Sequence, residues 1–114
     1  MTSARLFWGE AMQQRLAVAR DVAGELTATE EVVEDALAQA VRLMRRMIEA
    51  RRELGLPVKP GEPAMSRVTT IVSFLGEAQR ELVKARAELG AIREELGIPP
   101  VDPAVAEAAL RQAS

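Results

Sequence analysis

The chain has no cysteine, no histidine and no tyrosine among its 114 residues. Without cysteine it can form no disulfide, thiolate zinc site or sulfur nucleophile. Without histidine the commonest general base and metal ligand is gone. Most familiar catalytic constellations are therefore unavailable, and neither a metal site nor a cofactor is expected. Aromatics are almost as scarce, Phe7, Trp8 and Phe74 being the whole set. The core must be aliphatic, with alanines allowing helices to approach closely. There is no excess of one charge either: the formal net charge of −2 lacks the dense basic footprint of a nucleic-acid binder. No uncharged apolar run approaches membrane-spanning length. Glu10 arrives before the apolar stretch of a signal peptide could form, so a cytoplasmic location is expected.

What is present suits helices. Hydrophobic residues make up 48% of the chain and charged ones 28%, and Ala, Leu, Glu and Arg dominate. From Val68 to Leu96 an apolar residue or alanine recurs at alternating steps of three and four: Val68, Ile71, Leu75, Ala78, Leu82, Ala85, Leu89, Ile92, Leu96. No proline lies between Pro63 and Pro99. This is the seam of a long helix packed on other helices.

The spacing predicts an all-α fold, an elongated antiparallel helical hairpin or three-helix bundle, with a long coiled-coil-like third helix. Residues 1–97 would form the bundle, with helices over about 4–26, 30–54 and 64–97. The first break falls near Ala28, where Thr27 with Glu30 has capping-box spacing and Thr29 is an equally good N-cap. The middle helix carries Val33, Leu37, Ala40, Met44, Met47 and Leu54 on its seam. Ala36, Val41, Leu43 and Ile48 widen its apolar face, as for a helix touched from two sides. A stiff proline-rich turn over 55–63 joins it to the third helix. Residues 98–114 read as a linker and a short C-terminal helix, with Asp102 as N-cap and Pro103 at its first position. The run from Arg52 to Pro57 echoes that from Glu94 to Pro99, either as two ordinary glycine-proline helix stops or as a duplicated unit.

The third helix outruns its predicted neighbour by about two turns, which leaves Leu89, Ile92 and Leu96 partly uncovered. A second copy is expected to cover the half from Leu82 through Ala85 to Leu96, giving a homo-oligomer, a dimer or higher. Glu81 and Glu88 flank that stripe on one side, Arg86 and Arg93 on the other. In a parallel pair Glu81 would face the other copy's Arg86, and Glu88 its Arg93, whereas an antiparallel pair would oppose glutamates. The same charges would equally solvate the flanks of an intramolecular bundle. Phe7 and Trp8 could anchor a partner or cap one end of the core. Val105 and Leu110 are the apolar anchors with which the C-terminal helix would meet another protein.

One spacing suggests chemistry. Asp35 and Gln39 lie one helical turn apart, opposite the apolar seam, with Arg42 and Arg46 continuing the stripe. The D-x-x-x-Q arrangement, followed by Ala40-Val41-Arg42, resembles that of the CheZ-type chemotaxis phosphatases, which are dimeric helical hairpins. By that resemblance Gln39 would position a water against a receiver's phospho-aspartate and Asp35 would pair with a receiver lysine. The pair also suits a plain solvated helix face. The expected shape is similar as well to the oligomerisation core of viral-type small terminase subunits, a likeness of form without a motif. These resemblances point to a bacterial or phage protein. The leading expectation is a non-catalytic oligomeric scaffold or adaptor; the alternative is a receiver-directed phosphatase acting through Asp35 and Gln39.

Overall fold

A computed structural model describes residues 2–101, as backbone over 2–8 and with side chains from Gly9 onward. Among these residues the chain is all-α and contains two long helices: α1, Thr2–Glu53, and α2, Glu62–Glu95, joined through a single 3-10 turn at Lys59–Gly61. The sequence-expected short helix after Asp102, with Val105 and Leu110, lies outside the described residues.

The three-helix expectation is corrected to two. No break occurs at Ala28, and α1 runs through the Thr27–Glu30 capping signals without interruption. The reason is an accounting of backbone groups. Ending one helix and starting another would orphan four carbonyls and four N–H groups. Continuation satisfies all of them at a cost of only about 0.5 kcal/mol for each threonine. Gly24 lies inside the helix, and no proline occurs before Pro57 to force a stop. Because the first two predicted helices are one element, the middle stretch has, among the described residues, only α2 to meet. Val41 and Leu43, read as widening a doubly covered face, are 50% and 46% exposed.

The chain divides into two compact units. One comprises Thr29–Val83 and is an antiparallel hairpin of the second part of α1 and the first part of α2. Its centre is thin. Ala40 and Val68 are buried, while Val33, Leu37, Met44, Met47, Val72, Leu75 and Leu82 are half-buried. The inward line on α2 passes through Val72 rather than Ile71, which is 47% exposed. Arg45 and Arg46 bridge to Glu49 and Glu53 on the solvent side of α1. Two hydroxyls on α2 donate to carbonyls one turn back, Thr69 to Met65 and Thr70 to Ser66.

The other unit comprises Met1–Ala28 with Lys84–Ser114. Leu16, Ala19, Ala23 and Leu26 of α1 are half-buried here, as are Ala85, Gly90 and Arg93 of α2, and Ile98 is buried. No large side chain anywhere in the described chain is fully enclosed.

Both long helices end in the same way. Gly55 and Gly97 take positive φ, 64° and 68°, a region that costs an L-residue about 1–2 kcal/mol. Leu56 N–H then donates to the Arg51 carbonyl and Gly55 N–H to that of Arg52. Ile98 and Gly97 repeat the pair on Arg93 and Glu94. These are two Schellman closures. In each, the arginine whose carbonyl accepts also curls its guanidinium forward to the carbonyl beyond the stop: Arg51 Nη1 to Leu56 O at 3.4 Å, Arg93 Nη1 to Ile98 O at 2.7 Å. The echo seen in the sequence is thus a repeated helix stop, and it begins at Arg51 and Arg93, one residue before the runs from Arg52 and Glu94.

Candidate interaction surface

In the unit of Met1–Ala28 and Lys84–Ser114, α1 and α2 leave an open apolar groove of about 770 Å³. Val18, Val22 and Leu26 rise at helical spacing on the α1 wall. Leu89 and Ile92 do so from α2, and Leu96 from one residue past its end. Ile98, Pro100 and Val101, just past the glycine stop, close one side. The stop is what brings them there: Gly97 reverses the backbone, and Ile98 folds back to 6% exposure. The equivalent residue of the first stop, Leu56, is 52% exposed, so the same local motif serves packing in one place and only termination in the other.

The walls remain open to solvent. Leu89, Ile92 and Leu96 are 38%, 51% and 49% exposed, and Val18 and Val22 are 56% and 44% exposed. Three guanidinium groups, from Arg15, Arg86 and Arg93, line the groove, and no carboxylate among the described residues does. Arg86 Nη2 donates to Thr27 Oγ1 at 3.1 Å, which ties the two helices together beside the groove. Arg93 is 22% exposed and also lies 3.6 Å from the exposed carboxylate of Glu94. Glu88 is exposed and lies off the groove; Leu82 and Glu81 belong to the other unit, half-buried and exposed respectively. Ala85 is half-buried and does not line the groove. Of the residues expected to meet a second copy, Leu89, Ile92, Leu96, Arg86 and Arg93 therefore share one concave surface.

The α1 contribution to that surface was not singled out in the sequence. Ala11, Ala19, Val22, Ala23 and Leu26 belong to the helical apolar set of the first predicted helix without marking an interface, and Val18 lies outside that set. The Phe7 and Trp8 side chains lie outside the described residues, as do Val105 and Leu110.

Asp35 and Gln39 are both exposed on α1 in the unit of Thr29–Val83. The groove does not include them. They sit one turn apart on α1. Among the described residues no group of three or more acidic, histidine or cysteine side chains is placed to hold a metal ion, and no helix is long and apolar enough to cross a membrane. Comparison with protein-family models, with curated proteins and with solved structures finds no match for this chain, so its site rests on its own geometry.

Proposed function

We propose that this protein is a non-catalytic helical module that works by self-association, as a scaffold or adaptor. One observation carries the reading: among the described residues the stripe on α2 and at its end stays open, with Leu89, Ile92 and Leu96 between 38% and 51% exposed. Fully burying one such side chain is worth roughly 1.5–3 kcal/mol. With no fully enclosed large side chain among the described residues, these have little other apolar stabilisation to draw on. Contiguous apolar surface of this kind, rimmed by charges, marks an interface. A second copy supplies the missing cover most simply, because closed symmetric association is the usual solution for such a face.

The test is mass in solution. Light scattering at micromolar concentration gives a multiple of 12.4 kDa under this reading. A monomer that keeps its full helix content would refute it.

A further inference from the structure

We infer that the groove between residues 11–26 and 86–101 is the seat for the α2 ridge of a second copy, and that the two α2 helices run parallel. The inference rests on the self-association just proposed and adds which segment enters, where it sits and in what direction. Charge complementarity selects the occupant. The groove is lined by Arg15, Arg86 and Arg93 and by no carboxylate among the described residues. Arg86 and Arg93 also have partners within the chain, and the net positive lining favours an apolar ridge with an acidic flank. The ridge formed by Leu89, Ile92 and Leu96 is such an element. Glu88 and Glu95 are exposed and lie to one side of it, at about 100° per residue, away from the groove-lining arginines. The chain thus carries both halves of a self-complementary contact. Direction follows from the same charges. A parallel pair brings Glu88 of one copy to the arginine flank of the other, whereas an antiparallel pair sets glutamate flank against glutamate flank.

The absence of cysteine makes the test clean. Leu89→Cys and Leu96→Cys are made as separate single variants, with Ala91→Cys, on the opposite side of α2, as control. In a parallel pair each ridge position faces its own counterpart, within the roughly 4 Å between β-carbons that a disulfide needs. Leu89→Cys and Leu96→Cys should then each give a covalent dimer under mild oxidation, and Ala91→Cys should not. The two positions are about 10 Å apart along the helix, too far for both to self-pair if the helices are antiparallel. Glu88→Arg should weaken association about fivefold, with the effect shrinking in high salt. Dimers that cross-link only when the two cysteine variants are mixed would overturn the parallel arrangement. Dimers that cross-link at neither position would overturn the groove as the seat, yet leave self-association standing. A wild-type monomer by light scattering would remove both.

Discussion

Arg51 and Arg93 occupy the same place in two identical helix stops, yet they do different amounts of work. Arg93 donates to the Ile98 carbonyl at 2.7 Å from a half-buried position; Arg51 reaches Leu56 at 3.4 Å from a more open one. A charge-assisted bond gains strength as water is excluded. Arg93→Ala should therefore destabilise by about 1 kcal/mol and Arg51→Ala by about half that or less, read from paired urea melts. Equal effects would mean that shielding does not matter at these carbonyls. At the same scale, Gln39→Ala removes an exposed amide that does not line the groove. Under the scaffold reading it leaves helix content and association unchanged, and the wild-type protein releases no phosphate from a phosphorylated receiver domain. Turnover by the wild type, lost in Gln39→Ala, would reverse that assignment in favour of the phosphatase. The D-x-x-x-Q spacing was plain in the letters; whether anything converges around it was not, because convergence needs a second element.

Between residues and whole chain, the elements expose the limits of local signals. The glycine-proline stops at Gly55 and Gly97 were legible because positive φ is a local requirement that glycine meets at little cost. The threonine caps near Ala28 misled because capping only matters where a helix has already lost its neighbour's carbonyls. Thr27 instead accepts a hydrogen bond from Arg86, a partner 59 residues away that no window along the sequence contains. Glycine substitution separates the two situations. A β-carbon at Gly24 would meet nothing within 4 Å, so Gly24→Ala should stabilise by about 0.5–1 kcal/mol through helix propensity. A β-carbon at Gly55 also meets open space, but the backbone there sits at φ 64°. Gly55→Ala should cost about 1–2 kcal/mol. Thermal unfolding monitored by circular dichroism gives both signs. A rise for Gly55→Ala would contradict the closure described.

For the molecule as a whole, stability and association are expected to be one property. If copies bind through the groove, the folded state gains free energy by mass action, and the melting temperature climbs with protein concentration. Leu89→Ser with Ile92→Ser should abolish that dependence and lower the melting temperature, since each loses on the order of 1–2 kcal/mol of burial in the assembly. Because both positions are already 38% and 51% exposed in the single chain, their loss should cost the isolated chain much less. Melting that is independent of concentration in the wild type would argue that the thin centre of each unit suffices alone.

By itself the sequence determined that the chain is helical, that its two long helices stop at glycines, and that α2 carries apolar residues at regular helical spacing. Periodicity and glycine stops act over one or two turns, so a linear reading captures them. Tertiary structure decided that α1 is unbroken, that Val72 rather than Ile71 turns inward, and that Val18 and Val22 stand across a groove from Leu89 and Ile92. Those outcomes depend on which of several equally apolar faces meets another helix. Packing between segments distant in sequence settles that choice, and no local preference encodes it.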